Sequence, residues 1–320
     1  MKLKEAIAAE LEPINLALFN ALEELPAPAR PIARHIFEAG GKRLRPFLMV
    51  RAARLFGQRD EDIYRLAITM EMLHAATLLH DDVLDNAANR RGRPAAHTVF
   101  PAASAILAGD ALLACANAIV ASFGMPALST AFSRATSETA AGEILETSQL
   151  GRVDVSMAEY LEMARGKTGW LLAESCRMGV IFAGAGEAAE QAALDYGMNL
   201  GLAFQMVDDV LDFAPEEITG KPTGGDAREG KFTPPLRLYR ESLNDVERAE
   251  FDRAFSTGAI DGTGAAEIAA KIRGLGIDCT AREEAEGCLL KAREALAKMP
   301  AGPEREILYM MTEYVARREK

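Results

Sequence analysis

The sequence is short of several features that would place it quickly in a class. Cysteine is rare: Cys115, Cys176, Cys279 and Cys288 are the only four, and none has a C-x-x-C or metal-ligand spacing. That excludes a disulfide-stapled scaffold or a zinc module and reads as small core residues in a reducing compartment. Basic residues are in the minority, 36 Lys and Arg against 47 Asp and Glu, for a net charge of −11. A general nucleic-acid binder carries the opposite balance, so nucleic acid is not an expected partner. A membrane-length apolar run without a charge is also missing. The longest tract, "ASAILAGDALLACANAIVASFG", contains Asp110 and falls short, on either side of it, of the ~20 residues a span requires. The N-terminal "MKLKEAIAAELEPINLALF" is an amphipathic pattern with acids spread through it, not a signal peptide. The expectation is a cytoplasmic protein with no transmembrane segment. Alternating strands between hairpin turns and short-period repeats are absent too.

What is present is helical pattern almost everywhere. The 320 residues are 49% hydrophobic, enough for a substantial core. Ala, Leu, Glu, Met and Arg dominate, and apolar residues recur at i, i+3 and i+4. "EDIYRLAITMEMLHAATLLHDDVLD" and "EQAALDYGMNLGLAFQMVDDVLDF" are long periodic runs. Loops are marked by "LPAPARP", "NAANRRGRPAAH", "FGMP" and "APEEITGKPTGGDAREGKFTPP". The last is long enough to suggest a functional loop. No linker separates two cores, so residues 1–320 read as one all-α domain of roughly ten or more helices.

Within those runs the pentapeptide DDVLD occurs twice, as Asp81–Asp85 and Asp208–Asp212. Residues one and five of the motif are i and i+4 on a helix, so Asp81 and Asp85 share a face. Like charges at that spacing destabilise a helix, and no cation lies between them in the sequence. A hard divalent cation is the natural compensation. Mg²⁺ takes one or two carboxylates, keeps several waters and completes its shell with substrate phosphates. A single copy could be a solvated helix face or a cap; two identical copies flanked by Leu, Val, Met and Phe point to a pair of metal-binding clusters bracketing a polyanion.

Three basic clusters accompany the acids. "GGKRLRP" supplies Lys42, Arg43 and Arg45 just before a helix, "RRGRP" supplies Arg90 and Arg91 after the first motif, and the long loop supplies Lys221, Arg228 and Lys231 after the second. Arg offers a planar fork to phosphate oxygens and Lys a point charge. Two look-alikes are set aside. "GDAREGKF" fits G-x-x-x-x-G-K, but Phe232 stands where a Ser or Thr should meet the metal, and no strand precedes it. His80 and Asp81 with His35 could mimic a metal-dependent phosphohydrolase, which leaves the second DDVLD unexplained.

Taken in order, "GGKRLRP", "LLHDDVLD", "RRGRP", "LAGDALL", "RGKTGWL", "FQMVDDVLD" and "GKPTGGDAREGK" resemble the trans-isoprenyl diphosphate synthases (polyprenyl synthetases) over about residues 35–235. The resemblance implies the isoprenoid synthase fold, a helical bundle around a central cavity, usually a homodimer. It implies Mg²⁺, three ions per active site, and condensation of isopentenyl diphosphate with an allylic diphosphate. Asp81, Asp82 and Asp85 resemble the first metal-binding motif. Asp208 and Asp209 resemble the second, with Asp212 its less essential end. Arg90, Lys167, Thr168, Gln205, Lys221 and Lys231 resemble the residues of the allylic diphosphate and reaction centre. Lys42, Arg45, His74 and Arg91 resemble the isopentenyl diphosphate site. A lone His on an apolar helix is more often a core residue, but His74 lies two turns before Asp81 on the same side.

In such a reaction metal ions draw off the allylic diphosphate, the isopentenyl double bond attacks the cation, and a proton is lost, in the family to the departing diphosphate. Apolar surroundings keep water from the cation, and dipoles from Thr168 and Gln205 stabilise it. Product length should depend on the residues one turn before Asp81, ~5.4 Å behind it. Ala76 and Thr77 leave that position open, where shorter-chain relatives carry bulky aromatics. The expected product is long, hexaprenyl to decaprenyl, with octaprenyl the central value. Farnesyl or geranylgeranyl synthesis is the alternative. A terpenoid cyclase or head-to-head enzyme would not need Lys42, Arg45 and Arg91, and a non-catalytic subunit would not need two intact aspartate motifs.

Overall fold

The computed structural model describes residues 3–318 apart from Lys221. Its helices, in chain order, begin with α1 (Leu3–Ala21), α2 (Arg30–Glu38), α3 (Leu44–Leu55), α4 (Asp62–Leu84), α5 (Ala96–Val99), α6 (Ala102–Ser122), α7 (Pro126–Gln149) and α8 (Met157–Ala164). They continue as α9 (Trp170–Phe182), α10 (Glu187–Leu211), α11 (Glu216–Thr219), α12 (Gly225–Glu229), α13 (Pro234–Ser242), α14 (Asp245–Ser256), α15 (Gly262–Gly274), α16 (Ile277–Ala297) and α17 (Pro303–Ala316). The all-α expectation holds. The strand content among the described residues is a two-residue ladder, β1 (Asn89–Arg90) against β2 (Arg93–Pro94).

Local sequence explains many of the boundaries. Pro lies in the first turn of α2 and of α13, where its missing N–H removes no intrahelical bond. Ser156 with Glu159 and Asn244 with Glu247 form capping boxes at the starts of α8 and α14. Between α8 and α9 the chain passes through a π turn, Arg165–Gly169.

The described chain falls into two compact units. One comprises residues 3–136, 174–194 and 297–308; the other comprises 137–173, 195–296 and 309–318. In the first, α4 packs against α1, α3 and α6 and buries residues around most of its circumference, as a core helix does. This unit also buries charge. The Glu10 carboxylate accepts from Arg51 Nη2 at 2.6 Å, from Tyr64 Oη at 2.7 Å and from Arg54, so the charge is paired and hydrogen-bonded. In the second, α13 and α12 pack on α15, and Phe232, Phe251 and Phe255 form a chain of ring contacts.

Asp110 does not divide its apolar tract. Helix α6 runs through it unbroken for 21 residues and is, by length and composition, apolar enough to cross a membrane, although 39% of its apolar window is buried. An Asp on the outer face of a helix costs little propensity and keeps its water, so the charge interrupts the hydropathy without interrupting the structure.

Candidate functional site

Both DDVLD motifs close a long helix. Asp81 and Asp82 belong to the last turn of α4 and Asp85 is its C-cap, while Asp208 and Asp209 belong to the last turn of α10, with Asp212 just beyond it. The Asp85 N–H still reaches the Asp81 carbonyl at 2.8 Å, and the Asp212 N–H reaches the Asp208 carbonyl at 3.1 Å. Three carboxylates at a helix C-terminus also face the negative end of the helix dipole. The arrangement is therefore more strained electrostatically than the i, i+4 spacing alone implies.

No cation lies between these acids in sequence, but the fold brings one to each motif. Each motif has an arginine on it, supplied from elsewhere in the chain. In the first unit, Arg90 donates to Asp82 Oδ1 through Nε at 2.8 Å and through Nη2. The β1–β2 turn makes that reach possible. Arg91 (φ 53°) and Gly92 (φ 75°) are both left-handed, as a tight two-residue hairpin requires. The same turn sends Arg91 the other way, so that its Nη1 donates to the Gly40 carbonyl. Gly41 suits that position because its φ of 153° is one that L side chains rarely adopt.

The basic residues of "GGKRLRP" separate by role. Helix α3 begins at Leu44, so Arg45 lies inside its first turn, not before it. Arg43, with φ 48°, is 3% exposed. It donates to Glu71 at 3.1 Å, to the Phe37 carbonyl at 2.9 Å and to Asn15 at 3.2 Å. It fixes the loop. Lys42 is exposed. His74 lies among guanidinium groups: burial first, then the positive charges of Arg45, Arg91, Arg90 and Arg43, hold its pKa well below the usual histidine value. It is neutral at pH 7. Arg91 is likewise lowered, by burial and by Arg43 and Arg90, against the opposing pull of Glu71. Like charges gathered round a neutral imidazole form a ready anion site.

His80 and His35 do not form a metal pair. His80 Nε2 meets the Ile106 carbonyl of α6 at 3.0 Å and Asp110 at 3.4 Å, whereas His35 Nε2 meets the Pro94 carbonyl at 2.8 Å. Ala76 is 2% exposed, and its carbonyl lies where α4 passes Gly109 of α6. Thr77 donates back to the His74 carbonyl at 2.9 Å.

In the second unit, a cavity of about 110 Å³ gathers Lys167, Gln205, Asp209 and Lys231 with Tyr160 and Asp226. Its construction depends on backbones in close contact. A Cβ on Gly142 of α7 would collide with the π turn at Gly166 and Lys167, and one on Gly201 of α10 would stand 2.8 Å from Gly169. π turns often mark functional positions, and this one presents Lys167 and Thr168. Lys167 Nζ meets Glu146 at 2.6 Å and Glu143 at 3.2 Å. Lys231 Nζ meets Glu229 at 2.7 Å and Glu146 at 3.8 Å. Burial would depress both ammonium groups, but these carboxylates outweigh it and raise them. The lysines are charged and held ready on glutamates.

Thr168 Oγ1 donates to Gln205 Oε1 at 2.6 Å, Gln205 Nε2 donates to Asp209 Oδ1 at 2.8 Å, and Tyr160 Oη donates to Asp209 Oδ2 at 2.5 Å. Burial pushes the Asp209 carboxyl up to about 7, with Tyr160 and Gln205 opposing and Asp208 and Glu146 adding to the rise. Asp226 is raised well above the usual range by burial and by Asp212 and Asp209. Asp212 Oδ2 accepts the Asp226 N–H at 2.9 Å. Asp208 carries the guanidinium of Arg318, which also lies 4.2 Å over the Phe204 ring. Lys221 lies outside the described residues. "GDAREGKF" contains the short helix α12 with no strand before it, so it is not a phosphate loop.

Six participants had no assignment from sequence: Glu143, Glu146, Tyr160, Asp226, Glu229 and Arg318. One signal was legible. Gly197, Gly201, Gln205 and Asp209 recur every four residues along α10, a stripe whose Gly197 meets the start of α9 and whose Gly201 meets the π turn.

The carboxylate-rich motifs suit a hard cation. Among the described residues no three His, Cys, Asp or Glu side chains already converge on one metal point. Mg²⁺ needs only one or two carboxylates before water and phosphate complete its shell, so the donor set fits.

The polyprenyl synthetase family model matches residues 27–269. Heptaprenyl diphosphate synthase component 2 of Geobacillus stearothermophilus is 35% identical over the whole length of both chains. A solved decaprenyl diphosphate synthase from Rhodobacter capsulatus is 35% identical, with a TM-score of 0.91 over 99% of this chain and 98% of its own. A polyprenyl synthase from Caulobacter crescentus, solved with calcium and isoprenyl diphosphate, is 35% identical, with a TM-score of 0.93 over 100% of this chain and 98% of its own.

Proposed function

We propose that this chain, which belongs to the polyprenyl synthetase family, is a Mg²⁺-dependent trans-prenyltransferase that condenses isopentenyl diphosphate with an allylic diphosphate and repeats the step to a long polyprenyl diphosphate. The observation that carries the reading is the same pentapeptide closing two long helices at their negative ends, where clustered carboxylates are disfavoured and cations relieve them.

Asp81, Asp82 and Asp85 of the first motif and Asp208 and Asp212 of the second are the carboxylates that would hold the Mg²⁺, three ions in all by resemblance to the family. When bound, the metal neutralises the departing diphosphate and makes it a better leaving group. The chain's own groups do the rest. Lys167 and Lys231 take up charge on the allylic diphosphate as the C–O electron pair leaves with it, and Arg90 and Lys221 belong to the same role by motif alone. The glutamate partners of Lys167 and Lys231 release them to a more highly charged anion. The carbonyl and hydroxyl dipoles of Gln205 and Thr168 stabilise the cation. Lys42, Arg45 and Arg91 bind isopentenyl diphosphate as cations, and neutral His74 contributes a hydrogen bond, not a charge. The isopentenyl π electrons form the new C–C bond, and the proton lost to form the new double bond passes to the released diphosphate.

Ala76 and Thr77 favour a product of hexaprenyl to decaprenyl length, octaprenyl being the central value, and relatives named for heptaprenyl and decaprenyl products support it. A cytoplasmic location accords with four cysteines held as thiols. Purified protein with Mg²⁺, farnesyl diphosphate and labelled isopentenyl diphosphate should yield extended products by mass spectrometry. No incorporation with any allylic primer would sink the reading.

A homodimer belongs to the same proposal. The outer face of α6 exposes Leu107 (64%) and Ile106 (39%) among alanines, an apolar stripe suited to a second copy. Leu107→Asp should shift the sedimentation coefficient from dimer to monomer. An inactive wild-type monomer would point instead to a different subunit, in line with the relative named a component of its synthase.

A further inference from the structure

The two aspartate pairs are oriented alike. In the first motif Asp82 is 1% exposed and engaged by Arg90. In the second, Asp209 is 6% exposed while the Asp208 side chain is 37% exposed. Adjacent residues on a helix project about 100° apart, so in each copy the first aspartate is the more exposed of the two, Asp208 carrying the Arg318 guanidinium there, and the second is buried against protein. The partners of Asp209 are specific. Oδ2 accepts the Tyr160 hydroxyl at 2.5 Å and Oδ1 accepts the Gln205 amide at 2.8 Å. Tyr160 is itself buried, at 3% exposure, two helical turns before Lys167. By accepting from both donors, Asp209 fixes the Gln205 amide with its NH₂ toward the acid. Its carbonyl is then left to Thr168, whose hydroxyl donates to it at 2.6 Å.

We infer that Asp209, held by Tyr160, is a positioning residue that sets the orientation of Gln205 and Thr168. Tyr160 thereby becomes a second positioning residue for the reaction. The sequence treats Asp208 and Asp209 as equivalent ligands; their surroundings divide the work between them. The inference rests on the synthase reading and deepens it.

The test separates metal affinity from chemistry. Mn²⁺ binding to metal-stripped protein with inorganic pyrophosphate is titrated by electron paramagnetic resonance, and kcat and KM for farnesyl diphosphate are measured in parallel. D208N should weaken Mn²⁺ binding by at least about 10-fold, the loss of one carboxylate ligand. D209N and Y160F should leave Mn²⁺ affinity within about twofold. Y160F should lower kcat by about 10-fold to 100-fold, the range for removing a hydrogen bond to a charged group. D209N should lower it at least as much, because its amide can reverse the Gln205 orientation. Loss of Mn²⁺ in D209N or Y160F would make Asp209 a ligand and overturn the anchor role. Unchanged kcat in Y160F, with only a lower Tm, would reduce Tyr160 to a packing residue and overturn it too. If D209N does not fold, Y160F decides alone. Wild-type protein that binds no Mn²⁺ with pyrophosphate would overturn the synthase reading and this inference with it.

Discussion

Asp81→Ala should lower kcat by about three orders of magnitude or more, with helix content unchanged and Tm unchanged or slightly raised. A metal ligand that helps neutralise a departing diphosphate contributes several kcal/mol in the transition state, and about 4 kcal/mol is about a thousandfold in rate. The stability prediction has the opposite sign. Asp81 sits in the last turn of α4, with Asp82 beside it and Asp85 at the C-cap. One negative charge fewer at that end should return about 0.3–1 kcal/mol of helix-dipole energy. The two readouts together separate a ligand from a structural acid: Asp82→Ala would strand the Arg90 guanidinium and lower both activity and Tm. Activity within tenfold of wild type in Asp81→Ala would remove the metal role from the first motif.

Ala76→Phe should shorten the product from the octaprenyl range to about geranylgeranyl length or less, read by mass spectrometry of the hydrolysed lipids. One helical turn, ~5.4 Å, is close to one isoprene unit, so an aromatic ring one turn behind Asp81 stops the chain after few additions. Ala76 is also tightly placed, since its carbonyl lies against Gly109 on α6. Overpacking there costs about 1–3 kcal/mol, and a lower Tm is expected with the shorter product. A lower Tm with full-length product would show that Ala76 is small for the sake of the α4–α6 crossing and that another residue sets the floor.

Legibility in the sequence followed locality. The aspartate pairs stand in a repeated motif whose spacing carries their geometry, while Lys167, Thr168 and Gln205 were legible through short motifs that resemble those of the family. Glu143 and Glu146 were not, because an acid on α7 acquires a role only where Gly142 lets α7 touch the π turn beside Lys167. Arg318 is distant in sequence from Asp208 and reaches it through a docked C-terminal segment, whose carbonyl at position 318 accepts from Arg282 at 3.1 Å. Arg43 shows the converse. Its motif suggests a phosphate ligand, yet burial against Glu71 and Phe37 makes it a structural ion.

By itself the sequence determined the helical class, the position of both acidic motifs, the accompanying cations and, through them, the chemistry of a metal-borne diphosphate. These follow from periodicity and residue type, which act over one or two turns. Tertiary structure alone decided which aspartate of each pair is buried, that Arg90 rests on the buried one of the first pair and Arg318 on the more exposed one of the second, and which tyrosine holds Asp209. Those outcomes depend on what packs against the helix end. Two identical pentapeptides, one against an arginine hairpin and the other against a tyrosine and a glutamine, cannot report that difference themselves.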